Sequence, residues 1–127
     1  MLIFEQLGAA LEESKGFKPP GSVRKAAAKG LELRRKHGRG GLSVKQAAEQ
    51  GIGSGVQRAV NLKNGDAISL DTVKRMHAYF SRHQKDKQAE GWGSEANPSA
   101  GWIAWLLWGG DAGWRWAKGI LKKTEKK

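Results

Sequence analysis

The sequence predicts an all-α fold, a compact bundle of six or seven short helices with a Trp-rich C-terminal helix–turn–helix as its core. Three observations predict it. Apolar residues recur at three- and four-residue steps, the spacing of one helix face. Glycine and proline clusters at Pro19-Pro20-Gly21, Gly38 to Gly41, Gly51-Ile52-Gly53 and Asn64-Gly65 punctuate the chain as turns. Five of the six tryptophans fall within residues 98–117, so the bulky side chains that fill a core are concentrated at one end.

Taken in order, residues 1–17 form a separate unit. Leu2, Ile3, Leu7, Ala10 and Leu11 lie at helical spacing, and Glu5, Glu12 and Glu13 make the outer face of Met1–Ser14 acidic. Such a helix can pack on the domain, pair with a partner or shield a basic surface. Phe17 to Gly21 is a stiff break, because neither proline fits a helix interior. Residues 18–118 then form a basic helical domain. Ser22 is expected to cap a helix to about His37, ended by Gly38 and the Arg39-Gly40-Gly41 turn. Val23, Ala26, Ala27, Gly30, Leu31 and Arg34 share one side of it, mostly small, which permits close approach to a neighbour.

Ser43 to Gln46 reads as a capping box before Ala47-Ala48. After the Gly51 turn, Ser54–Leu62 forms another short helix. Ser69 caps Leu70–His83, with Leu70, Val73, Met76, His77 and Phe80 inward, Asp71 at its positive end and Arg82 and His83 at its negative end. Gln84–Asn97 is polar and reads as a loop pinned by Trp92. Asn97 is expected to cap, and Pro98 to start, a helix carrying Trp102, Trp105 and Leu106. Gly109-Gly110 stops it, and Asp111 caps a last helix with Trp114, Trp116 and Ala117. Residues 119–127 read as a frayed basic tail.

Charge is the main functional clue. The net charge is +11, and residues 15–39 alone hold nine bases against Glu32. The last seventeen residues add six bases against Asp111 and Glu125. Charge so concentrated attracts a polyanion, most often nucleic acid, ahead of the plainer reading as a solvated face.

Enzyme and metal chemistry find little support. There is no cysteine, and His37, His77 and His83 lack zinc-site spacing. Asp71 with His77, or His83 with Asp86, are the conceivable acid–base pairs, but each residue has a simpler role as a helix-end charge or packed face. No motif joins nucleophile, base and orienter, so no catalytic residue and no cofactor are expected. The run Gly51 to Gly55 lacks the Lys-Ser/Thr of a phosphate-binding P-loop, although its backbone N–H groups can meet a DNA phosphate. No stretch is long enough to span a bilayer, and Met1–Leu11 has no basic start or cleavage pattern, so a soluble chain without stable membrane insertion is expected. The tryptophans are expected in the core; stacking on unpaired bases and lying at a membrane interface are the other two readings.

Leu42–Ile52 (LSVKQAAEQGI), Asn64-Gly65 and Ile68–Arg75 (ISLDTVKR) resemble phage-repressor-type helix-turn-helix domains over residues 42–80. The resemblance implies that Ala47 lies where two helices cross, Gly51 at the turn, and Ser54, Gln57 and Arg58 on the groove-facing helix. Gln57 stands where that pattern has an aliphatic residue, and Gly53 and Gly55 weaken the helix by about 1 kcal/mol each. Two short packed helices with glycine turns are the equal alternative.

Longer phrases resemble a family of small basic proteins and domains of tailed phages and prophages. They are Pro19–Arg24 (PPGSVR), Ala28–Lys36 (AKGLELRRK), Asp71–Met76 (DTVKRM), Arg82–Lys87 (RHQKDK) and, most specific, Trp105–Gly113 (WLLWGGDAG). The resemblance covers about residues 18 to 118. It implies a viral setting near head and packaging functions, in the host cytoplasm or with the virion, and assigns no catalytic residues.

The expected function is non-enzymatic binding of double-stranded DNA through phosphate contacts. Arg24, Lys25, Lys29, Arg35, Lys36 and Arg39 would supply charge. Lys45, Arg58 and Lys63 would contact the backbone around the helix-turn-helix-like stretch, Ser54 and Gln57 would meet the DNA from its groove-facing helix, and Lys74 and Arg75 would extend the surface. The competing expectation is a protein-interaction module, a virion or assembly component or an inhibitor of a host protein, docking through Met1–Ser14. A third reading is association with an anionic membrane surface.

Overall fold

The computed structural model describes residues 16–38 and 55–125. Among these residues there are five α-helices, one short 3-10 helix and no strand, an all-α architecture. Five is below the six or seven expected; the helices expected at Met1–Ser14 and from Ser43 lie outside the described residues.

Helix α1 (Gly21–His37) is the element the others gather on. It packs against α2 (Gly55–Asn64), α4 (Ala100–Leu107) and α5 (Gly110–Glu125), while α3 (Leu70–His83) packs against α5. Helix α1 begins after Pro20 with no side-chain cap, so Ser22 is not the cap the sequence suggested; the Pro20 carbonyl accepts from the N–H groups of Val23 and Arg24 instead. It ends as expected at Gly38, whose φ of 66° lets its N–H reach the Arg34 carbonyl at 2.7 Å. Its buried face is Val23, Ala27, Gly30 and Leu33. Leu33 replaces the expected Leu31, which is half-buried, as is Arg34.

That face is small because backbone lies directly across it. A Cβ on Gly30 would stand 2.8 Å from the Leu107 amide nitrogen and 3.0 Å from the Leu106 carbonyl carbon. Gly109 and Gly110, at φ 108° and 66°, turn the chain from α4 into α5 against Val23 and Ala26. The chain ahead of α1 is held too: Phe17 and Ile68 exchange backbone hydrogen bonds of 2.7 and 2.8 Å in an isolated antiparallel bridge.

The main core joins Val23 and Ala27 of α1 to Leu62, Ile68, Val73, Met76, Tyr79, Phe80, Trp105, Ala117 and Ile120. A second cluster, Leu33, Ala59, Ile103 and Leu107, fills the space between α1, α2 and α4. Of the six tryptophans only Trp105 is fully buried; the other five are half-buried. Its indole meets Phe80, Trp92 and Trp114 edge-on at 4.7, 5.5 and 5.8 Å, the arrangement that ring quadrupoles favour. Trp92 thus plugs its loop onto the core as expected.

Helix α3 has the expected bounds, with the Ser69 hydroxyl accepting from the Thr72 N–H. Its buried set is Val73, Met76, Tyr79 and Phe80; Tyr79 was not foreseen, and His77 and Leu70 are half-buried. The expected loop after it opens with a 3-10 helix at Gln84–Gln88. Three further expectations are corrected. Ser99, not Asn97, caps α4, its hydroxyl accepting from the Trp102 N–H at 3.1 Å. Asp111 lies inside the first turn of α5, and its carboxylate accepts from Trp105 Nε1 at 2.9 Å and Lys87 Nζ at 3.0 Å. The tail expected from residue 119 is helix as far as Glu125, because Gly113, Ala117 and Ile120 continue one buried face.

Two expected outcomes test this arrangement. Gly30→Ala should destabilise by about 1–3 kcal/mol through overpacking against backbone, despite the better helix propensity of alanine. Gly119→Ala, in α5 with nothing within 4 Å of its would-be Cβ, should stabilise by about 0.5–1 kcal/mol. Urea unfolding of both distinguishes them, and equal effects would contradict the close approach at Gly30.

Asp111 gives a pH signature. Burial pushes its carboxyl up, but hydrogen bonds from Lys87 and Trp105, with the charges of Lys87 and Arg115, outweigh it and hold the group below 3.8. A carboxylate depressed on folding stabilises above its unfolded value, and the stabilisation is lost as pH falls through the folded value. Asp111→Ala should therefore lower the Tm at neutral pH, leaving the buried Trp105 N–H without an acceptor at a cost of about 1–3 kcal/mol. The gap to the parent chain should narrow as thermal melts are taken below pH 3.8.

Candidate nucleic-acid interface

Helix α1 carries Arg24, Lys25, Lys29, Arg34, Arg35 and Lys36 against the single acid Glu32. At 3.6 residues per turn, positions 24, 28, 31 and 35 form one stripe, and 25, 29, 32 and 36 the stripe beside it. The two sides have different surroundings.

On the first side two hollows adjoin. One is lined by Gly21, Arg24, Lys25, Ala28 and Lys63, the other by Ala28, Leu31, Glu32, Arg34, Arg35 and Lys63. They share Ala28 and Lys63, so they form one trough between α1 and the end of α2. From Gly21 to Arg35 the helix rises about 21 Å, close to six base-pair steps of duplex. Five bases line the trough against one carboxylate. Ala28 at its floor leaves room between the flanking cations. Arg24 also supports the fold directly. Its Nε donates to the Lys63 carbonyl at 3.1 Å, at the negative end of α2, and its guanidinium lies over Gly65.

On the second side Lys29 pairs with Glu95 and sits 5.6 Å from the Trp102 ring. The hydrogen bond and charge of Lys29, with the charge of Lys36, hold the exposed Glu95 carboxyl below its ordinary value. The two hollows are lined by Lys25 and Arg35 but not by Lys29 or Lys36, although the sequence had grouped all four together.

The remaining expected residues divide again. Arg39, Lys45 and Ser54 lie outside the described residues, as does the first helix of the helix-turn-helix resemblance. Gln57 and Arg58 stand on a different face of α2 from Lys63, where the Gln57 amide donates to Asn61 Oδ1 at 3.1 Å. Arg58 is half-buried with its guanidinium 3.8 Å from the Trp108 ring. Lys74 and Arg75 are exposed on α3. Arg34 joins the trough although the sequence placed it on the packed side, because the α1 stripe ends one position earlier, at Leu33.

No His/Asp/Glu cluster among the described residues could hold a metal ion, and no described helix is long and apolar enough to cross a membrane. Comparison with protein-family models, curated proteins and solved structures finds no match to this chain.

The trough separates structural from surface cations. Arg24→Ala should cost about 0.5–1.5 kcal/mol by removing the bond at the α2 terminus. Lys25→Ala and Arg35→Ala, exposed and without a hydrogen bond or ion pair among the described residues, should stay within about 0.5 kcal/mol of the parent. Chemical denaturation of the three variants checks the ranking.

Proposed function

We propose that this chain is a non-enzymatic DNA-binding protein that grips backbone phosphates along the α1–α2 trough. The observation that carries the reading is the lining itself: Arg24, Lys25, Arg34, Arg35 and Lys63 against Glu32 alone. A straight, positively charged channel of this length suits a duplex backbone, whose charges are fixed and closely spaced. Lysine and arginine contacts to phosphate position a protein without reading sequence. Weak sequence preference therefore belongs to the proposal. The sequence phrases that resemble small basic phage proteins suggest a viral setting, and the absence of any nucleophile–base–orienter set in the sequence agrees with binding rather than turnover.

Fluorescence anisotropy with a short labelled duplex tests this between about 50 and 200 mM salt. If all five cations neutralise phosphates, the log–log slope should approach about −4.5, at about −0.9 per phosphate. Arg35→Ala should reduce the slope by about 0.9, and the double reversal Lys25→Glu/Arg35→Glu should cost at least about tenfold in affinity across unrelated sequences. Affinity indifferent to salt, or unchanged by the double reversal, would reject the trough as the interface.

A further inference from the structure

Helix α2 has a second polar face, turned about 200° from Lys63 at Asn61. There Gln57, Arg58 and Asn61 join Ala67, Ile68, Ser69 and Thr72 around a cavity of about 370 Å³. Arg58 is the one charged residue in that lining, and no carboxylate contributes to it. Asn61 and Thr72 are left as donors, while Ser69 has spent its hydroxyl hydrogen on Thr72. Asn61 Oδ1 is occupied by Gln57, leaving the Asn61 amide N–H pair. Thr72 Oγ1 accepts from the Ser69 hydroxyl, leaving its own O–H.

Arg58 is held in an unusual way for a half-buried cation. Its guanidinium lies 3.8 Å from the centre of the Trp108 ring. Trp108 stacks on Tyr79 at 4.7 Å and 10°, and Tyr79 on His83 at 4.5 Å and 27°. His83 Nδ1 is 3.0 Å from Asp86 Oδ2. This column, drawn from the residue that ends α4, from α3 and from the 3-10 helix, gives the guanidinium a platform. Contact with the ring face leaves the in-plane N–H groups to find acceptors elsewhere. Among the described residues Arg58 makes no hydrogen bond and no ion pair. Burial, and then the charge of Arg75, pull its pKa down to about 10. No carboxylate pairs with Arg58 among the described residues, and the exposed Arg75 on α3 adds a like charge instead.

We propose that the cavity between α2 and the start of α3 seats a phosphate group, with Arg58 giving two parallel hydrogen bonds to its oxygens. The Asn61 amide and Thr72 hydroxyl complete the donor set, and Arg75 adds charge from outside. A phosphate suits the site better than a carboxylate, because two guanidinium charges and two further donors exceed what two carboxylate oxygens use. The seat is on a different face from the trough and does not rest on the DNA-binding reading. Its phosphate can be a free monoester or a diester of a nucleic-acid backbone.

The test uses the full chain labelled at arginine, following the Arg58 Nε–H resonance while inorganic phosphate, a nucleoside monophosphate or a short duplex is titrated against chloride at equal ionic strength. A saturating shift with phosphate or the monophosphate supports a monoester seat. A shift with the duplex alone supports a backbone diester. Binding should vanish in Arg58→Gln and weaken several-fold in Arg75→Gln, whose side chain is exposed. Arg58→Lys, keeping the cation over Trp108 with fewer donors, should bind weakly while retaining the parent's circular dichroism. The trough variant Lys25→Glu/Arg35→Glu should bind inorganic phosphate normally. No shift in any arm, an equal shift with chloride, or full binding by Arg58→Gln would overturn the proposal.

Discussion

At Gly30 the backbone of α1 and the backbone at the end of α4 come closer than any side chain would allow. The separation of 2.8 Å from a would-be Cβ to the Leu107 nitrogen sets the depth at which α1 lies in the fold. Val23 and Ala26 then meet the Gly109-Gly110 turn, and that turn directs α5 back under α1 to bring Ala117 and Ile120 into the core. Trp105 fills what remains, with its polar edge satisfied by Asp111 from across the turn. A larger residue at any of these seam positions would part the helices and open space beside Trp105.

The same helix supplies four of the five cations that line the trough, and the two properties are linked. A helix with six cations and one acid repels itself, and little in its own sequence holds it together. Close packing of its small face supplies the compensation, because dispersion and burial grow with intimate contact. Its outer face is left free to collect charge. Arg24 spans both roles, lining the trough while tying the end of α2 to α1.

Much of the fold was legible because local rules decide it. The Ser69 cap, the Gly38 terminator, the Gly109-Gly110 break and the small side of α1 each rest on neighbouring residues. Where tertiary contacts decide, the local reading failed. Asp111 looks like a cap until Trp105 Nε1 is seen beside it. Asn97-Pro98 looks like a helix start, yet the hydroxyl of Ser99 reaches the Trp102 N–H. Ile120 and Leu121 are hidden in a lysine-rich run that reads as tail. The basic character of the candidate site was equally plain in the sequence, but its division was not. Only the folded chain sets Lys29 against Glu95, Arg58 against Trp108, and Lys25 and Arg35 together beside Lys63.

The position of α1 has a consequence for how the chain reaches this state. Its packing partners α4 and α5 lie at the far end of the sequence, so their association closes a long loop before much apolar area is buried. Helices α1 and α2 can meet early, but the close seam at Gly30 and Val23 is incomplete until the tryptophan-bearing helices arrive. Folding should be slower than in a simple up-and-down bundle. During synthesis the basic helix is made well before the elements that shape it, exposed to any polyanion nearby as an unshaped cationic segment.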